Sequence, residues 1–227
     1  MDGRLTTLGK SSFSRALAIF CLGLLLTVQP GCVGTTAQLL YFVKGDKIKA
    51  VFPGLKDQRV VVICESEASS YGPDPLSEIV TRMLISELQA NIKKIELVPA
   101  TDVENWKDQN GWNEIDHNKL GQDFQADMVV AVQISNYSIH EGSTMFKGRS
   151  MITSTVFDIN NDGYATFVHG PDQFEFPRSH ARPAIGTTEA EFERAYLTKI
   201  VQQVSWLYCD HEKVEKIAQD AWLYDLE

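Results

Sequence analysis

Hydrophobic positions along the chain fall into short β-branched runs, alternating stretches and two helical stripes, separated by polar segments rich in Gly, Pro and Asp. The run "RVVVIC" at 59–64 has the length and composition of a central strand covered on both faces. After the loop "SEASSYGPDP", Asp74 is placed to cap a helix with Pro75 in its first turn. Ile79, Val80, Met83, Leu84 and Leu88 then recur at helical spacing, which predicts a helix over 75–91 with Glu78, Arg82 and Glu87 in water. "IKKIELVPA" predicts a short second strand, and the polar stretch 101–124 two short helices, one capped by Thr101 or Asp102 and one by Asp116.

From Met128 the period changes. "MVVAVQISNYSI" starts as a buried strand and then alternates, "HEGS" turns it, "TMFKGRSMITSTVFDI" runs back and "YATFVHG" adds a third strand, so 128–169 predicts an antiparallel meander. The segment from Gly170 to Phe192 holds three prolines and reads as a surface loop of about twenty residues. Thr188 and Glu191 form a capping box ahead of Phe192, Tyr196, Ile200, Val204 and Leu207, which predicts a helix over 189–208. A tail helix carrying Val214, Ile217, Ala218 and Trp222 follows, and "LLYFVKGDKIKAVF" at 39–52 reads as a small hairpin turning at Gly45-Asp46. The expected fold class is α/β in the α+β sense: a mixed, largely antiparallel sheet of about five strands with helices packed on it, in a single domain.

The first 31 residues follow another logic. Arg4, Lys10 and Arg15 precede the uncharged, mostly apolar stretch Ala16 to Val28, and "QPGC" follows. A cationic start, an apolar middle of thirteen residues and a breaker make a secretion signal; as a helix the middle reaches about 20 Å, short of the roughly 30 Å hydrocarbon core. Gly31-Cys32 resembles the end of a bacterial lipobox, which makes Cys32 the expected lipidation site, although Gln29 and Pro30 depart from the usual residues and cleavage after Ala37 is the alternative. The expected organisation is 1–31 signal peptide, 32–56 tether with the hairpin, and 57–227 one α/β globular domain. Loss of residues 1–31 removes three cations and one anion and takes the formal charge from -9 to -11. With no basic stripe beyond Lys44, Lys47 and Lys49, nucleic acid is not an expected partner. Of the four cysteines, Cys64 and Cys209 are the two beyond Cys32, and they read as a buried free pair rather than a bridge.

"LGQDFQADMVVAVQI" at 120–134, behind a "RVVVIC" strand and an amphipathic helix, resembles a group of bacterial envelope lipoproteins and periplasmic domains. The group includes the curli-secretion lipoprotein, the penicillin-binding-protein activator lipoprotein and the N-terminal domain of the Tol translocation protein. Ala126-Asp127 matches its pattern, Gly121 sits five residues ahead of Ala126 instead of next to it, and Val132 to Ile134 lacks the usual Gly. "VFDINNDG" at 156–163 resembles its step from a strand ending in Asp to a turn. The resemblance spans 57–168 and implies a non-enzymatic domain that binds a protein partner or assembles in the envelope, membrane-held through its N-terminal lipid and facing the periplasm, from the outer membrane or, alternatively, in secreted form. The pore-forming branch of that group is not matched, because His140, Lys147 and Arg149 interrupt any apolar-outward alternation.

Candidate chemistry is sparse. The chain carries no Gly-rich phosphate loop, no G-x-S-x-G, no H-E-x-x-H and no paired C-x-x-C, so no cofactor or metal is expected. Asp158, Asn160, Asp162 and Gly163 have the spacing of a calcium loop, yet position twelve is His169 and the flanks are β-rich, which makes the segment a strand-joining turn. The long loop with the three prolines, displaying Phe174, Phe176, Arg178 and Arg182, is the expected partner-binding surface. Two alternatives use the same stretch or the same anchor: a secreted hydrolase with a site near 169–183 that includes His169, and an accessory subunit of an envelope transporter.

Overall fold

The computed structural model describes residues 47–178 and 180–212. In chain order the elements are β1 (Lys47–Ile48), β2 (Arg59–Ser66), α1 (Pro75–Asn91), β3 (Glu96–Leu97), α2 (Ala100–Asn110), α3 (His117–Asp123), β4 (Met128–His140), β5 (Met145–Asp158), β6 (Tyr164–Phe176), β7 (Arg182–Pro183), α4 (Glu189–Ser205) and β8 (His211–Glu212). The main sheet runs β3-β2-β4-β5-β6, with β7 also on β5. β2 is parallel to β3 and β4, whereas β4, β5 and β6 form the antiparallel meander. This is the mixed sheet with packed helices that the pattern predicts.

The run at β2 is continuous because both of its faces are covered. Val60, Val62 and Cys64 enter one core with Val80, Leu84 and Leu88 of α1 and Phe192, Tyr196 and Ile200 of α4. Val61 and Ile63 enter a second core with Val103 and Trp106 of α2 and Leu120 of α3. Burying such an aliphatic or aromatic side chain contributes about 1.5–3 kcal/mol. Cys64 and Cys209 are both buried free thiols.

Several local expectations need correction. Ser77, Val80, Thr81, Leu84 and Leu88 make the buried face of α1, and Ile79 is exposed, since the helix turns its small polar residues against β2, where Thr81 Oγ1 accepts from the Cys64 amide at 3.0 Å. α2 begins after Pro99 rather than at Thr101 or Asp102, and no side chain caps it. α4 ends at Ser205, followed by a turn to Tyr208. The largest correction concerns the segment after His169. It is not a loop: β6 continues through Phe176, and β7 takes up β5 where β6 leaves it. Gly170 and Pro171 are absorbed by a register shift opposite Thr153, and a Cβ at Gly170, where φ is +97°, would lie 2.4 Å from the Ile152 carbonyl oxygen. An edge strand tolerates this because the proline needs no ladder partner on its open side.

The turn between β5 and β6 is held as expected for Asp-Asn-Gly chemistry. The Asp158 side chain accepts from the Asn160 amide, Asp162 lies in the left-handed region, and Asn160 Nδ2 donates to Asp127 at 3.1 Å. Asp127 also accepts from the Arg59 amide, so one carboxylate joins the starts of β2 and β4 to that turn. The second arm of the expected hairpin contributes β1, which pairs with β8. Its first arm, the signal segment, Cys32 and the tail helix lie outside the described residues. Among the described residues no helix is long and apolar enough to cross a membrane.

Candidate functional site

The chain leaves β2 toward β3 on one side by way of α1, and reaches β4 on the other side by way of α2 and α3. The carboxyl ends of β2 and β4 therefore flank a topological switch, where open α/β sheets leave a crevice for ligands. A cleft of about 390 Å³ opens there. Leu76 and Ile134 contribute apolar lining, and Glu67 and Glu193 contribute carboxylates.

Its walls are fixed locally. Asp74 caps α1 by accepting from the Leu76 and Ser77 amides, and it also takes the Ser66 hydroxyl at 2.7 Å and the Ser77 hydroxyl at 2.6 Å. Burial alone would raise this carboxyl; the hydrogen bonds from Ser77, Ser66 and the two amides outweigh it and hold the group below the usual carboxylate range. Across the cleft, Asn136 adopts φ +52° at a register shift in β4 and donates its amide to Glu67. The shift turns Tyr137 inward, where its ring stacks on Tyr196 and its hydroxyl donates to Glu193 at 3.0 Å. Burial, followed by the Glu193 charge, pushes that phenol well above its ordinary value.

A second concavity, of about 210 Å³, lies where the β6 bulge meets the end of α4. His169 and Asp172, separated by the bulge, pair at 2.8 Å on its rim. Ser154, directly across the ladder from His169, lines it and shares a 2.6 Å hydrogen bond with Tyr208. Ser154 and His169 are thus each engaged elsewhere. A groove of about 420 Å³ between α1 and α4 is bordered by Met83, Glu87 and Gln202.

On the opposite face of the sheet, Lys107 is buried beside the end of β2, bonding the Cys64 carbonyl at 3.4 Å and lying 5.2 Å from the Trp112 ring. Burial lowers its ammonium below the ordinary lysine value. Next to it His117 pairs with Glu65 at 2.7 Å and stacks on Phe157. Burial pushes the Cys64 thiol up to about 12, with Lys107 opposing.

The expected partner-binding loop residues are not displayed together. Phe174 and Phe176 lie in the core, 6% and 1% exposed, stacked on Tyr196 and against Phe192, because β6 alternates and these two positions face α4. Arg178 is exposed beyond the strand end, and Arg182 donates to Thr187 from β7. Among the described residues no three His, Cys, Asp or Glu side chains gather to hold a metal ion. The cleft residues Tyr137 and Glu193 escaped the sequence reading. Its available signal was the order strand, loop, capped helix at 59–75, which marks a switch only once the strand order is known.

Comparison with models of protein families finds no match, and comparison with curated proteins finds none either. Among solved structures, the chain is similar at 16% identity and a TM-score of 0.41 to lipoprotein GNA1162 from Neisseria meningitidis, over 65% of this chain and 97% of that one. It is similar at 12% identity and a TM-score of 0.44 to the PelC dodecamer from Paraburkholderia phytofirmans, over 72% and 96%. A third similarity, at 13% identity and a TM-score of 0.34, is to the LpoB C-terminal domain from Salmonella enterica, over 61% and 90%.

Proposed function

We propose that the protein is an exported, lipid-anchored envelope protein whose domain is a non-catalytic module that binds a protein partner at the cleft between the ends of β2 and β4. The observation that carries this reading is the cleft itself: a concavity at the switch point, with apolar lining from Leu76 and Ile134 and three carboxylates, Glu67, Asp74 and Glu193, at its walls. Such a surface suits a partner side chain with an apolar stem and a cationic end, which satisfies both parts of the lining. The position of Cys32 behind an apolar signal segment supports the anchor, and several acyl chains, each contributing about 0.8 kcal/mol per buried CH2, would hold the chain on a membrane without a spanning helix.

Two experiments test the two halves separately. Metabolic acyl labelling is expected on the wild-type chain and absent from Cys32→Ser; undiminished labelling of that variant would remove the anchor. For the partner, a photo-crosslinking residue at Tyr71, 93% exposed in the loop between β2 and α1, is expected to trap an envelope protein, and Glu193→Lys is expected to abolish that adduct. Adducts equally strong in Glu193→Lys would place the contact elsewhere. The identity of the trapped protein also distinguishes an accessory role at an envelope transporter from other assemblies.

A further inference from the structure

The cleft between the ends of β2 and β4 carries charge of one sign. Glu67, Asp74 and Glu193 line it, and no Lys, Arg or His does. Lys107 acts on Asp74 from the opposite face of the sheet without lining the cleft. The three carboxylates are not equivalent. Asp74 is buried and already takes four donors, the hydroxyls of Ser66 and Ser77 and the amides of Leu76 and Ser77, so its lone pairs are used and it contributes field alone. Glu67 and Glu193 each spend one oxygen. Oε1 of Glu67 accepts from the Asn136 amide at 3.2 Å, and Oε1 of Glu193 accepts from the Tyr137 hydroxyl at 3.0 Å. Oε2 of each has no hydrogen-bond partner among the described residues.

Those two bonds end on consecutive residues of β4, at its register shift. They fix one carboxylate from the loop after β2 and one from α4 around the same space, each with an acceptor oxygen left over. A guanidinium carries five N–H donors in a flat, fixed fork and serves two carboxylates at once, whereas an ammonium is a strongly hydrated point charge with three donors. The aromatic lining selects in the same direction. Tyr137 stacks on Tyr196 at 5.7 Å and borders the cleft, and a guanidinium plane stacks on such a ring. Leu76 and Ile134 supply apolar surface for a methylene stem. At about 390 Å³ the space lies within the roughly 300–1,000 Å³ range of ligand pockets, which leaves room for the backbone that carries the side chain.

We propose that the cleft recognises an arginine of the protein partner, its guanidinium bridging Oε2 of Glu67 and Oε2 of Glu193 along the Tyr137 ring and its stem between Leu76 and Ile134. This rests on the reading of the cleft as the partner-binding site and names the residue type that enters it. Charge alone would accept lysine; two acceptors already held in place by other bonds select arginine.

The test needs no partner. Saturation-transfer NMR on the full chain in an uncharged maltoside micelle compares three acetylated tripeptide amides, glycine-X-glycine with X as arginine, lysine or glutamine. The arginine peptide is expected to bind at roughly millimolar Kd, the lysine peptide about tenfold more weakly and the glutamine peptide not detectably. Glu67→Gln and Glu193→Gln each keep an oxygen for the Asn136 amide or the Tyr137 hydroxyl, so the walls stay in place while a charge is lost. Each is expected to weaken the arginine peptide about tenfold and to shrink its advantage over lysine to about twofold, and Thr198→Ala in the α1–α4 groove to change nothing. Equal binding of the arginine and lysine peptides, arginine binding undiminished in both variants, or no saturation transfer to the arginine peptide overturns the proposal. A Tyr71 adduct that is lost in Glu193→Lys while no arginine preference exists keeps the cleft as the partner site and removes the guanidinium from it. Arginine-selective binding without any such adduct supports the guanidinium site and removes the trapped partner instead.

Discussion

At the scale of single residues, two side chains control more than their size implies. Asp74 caps α1, receives two serine hydroxyls and forms one wall of the cleft. Replacing it with Ala removes the cap and leaves the Ser66 and Ser77 hydroxyls without their acceptor, which should cost about 1–2 kcal/mol near neutral pH by urea unfolding. Its folded-state pKa lies below the unfolded value of 3.8, so its contribution is complete above that value and is lost as pH falls through the folded one. The stability gap between wild type and Asp74→Ala should therefore be constant from neutral pH down to mildly acidic conditions and close in stronger acid; a gap that persists undiminished there would show that the carboxylate charge is not what stabilises the turn. Gly148 acts through absence. A Cβ on it would lie 2.5 Å from the ring of Tyr196, which is fully buried and stacked between Tyr137 and Phe174 and so has no room to move. Gly148→Ala should destabilise by about 1–3 kcal/mol through overpacking, and a denaturation midpoint equal to wild type would mean that α4 yields easily.

Among the elements, legibility followed from how local the controlling forces are. The bounds of α1 and the start of α4 could be read because caps and helical spacing are short-range signals, and the capping box of Thr188 and Glu191 forms as the spacing predicts. Thr188→Ala should accordingly lower stability by about 1 kcal/mol with the fold retained, which thermal unfolding followed by circular dichroism would detect; no change in Tm would mean the first turn of α4 is held by tertiary packing alone. The extension of β6 was not legible, because Gly170 and the three following prolines are breaker signals and nothing in the local sequence reports that the strand lies at a sheet edge, where a bulge absorbs Pro171. The alternation of Phe174 and Phe176 was present in that stretch, but two residues are too few to outweigh three prolines. The same non-locality hid the phase change at Asn136, which depends on Glu67 from a loop distant in sequence.

The whole molecule joins two cores through β2, and that shared strand bears on how it unfolds. Cys64 lies in β2, opposite Val132 of β4, and Cys209 beyond the end of α4, next to the strand β8 that pairs with β1. Neither the cleft nor the concavity at the β6 bulge could be assembled from sequence, since each is made by residues from several elements whose adjacency is set by strand order; the two thiols, in contrast, were expected to be buried and unbridged, and they are. Burial pushes both up to about 12, so at neutral pH each is protonated and shielded, and neither should react with a small disulfide reagent in the native state. If the two cores unfold as one unit, both thiols become reactive at the urea concentration at which the far-ultraviolet circular dichroism is lost. Among the described residues, the tie at the end of α4 includes a two-residue pairing of β1 with β8, the exposed Asp210 carboxylate on Lys49 and on the Ala50 amide, and the Phe52 amide on the Leu207 carbonyl, whereas β2 pairs with β4 along seven residues. Reaction at Cys209 should therefore begin at a lower urea concentration than reaction at Cys64, with Cys64 tracking the global transition. Mass-resolved thiol labelling separates the two sites, and simultaneous labelling would show that the β1–β8 tie opens only with the sheet.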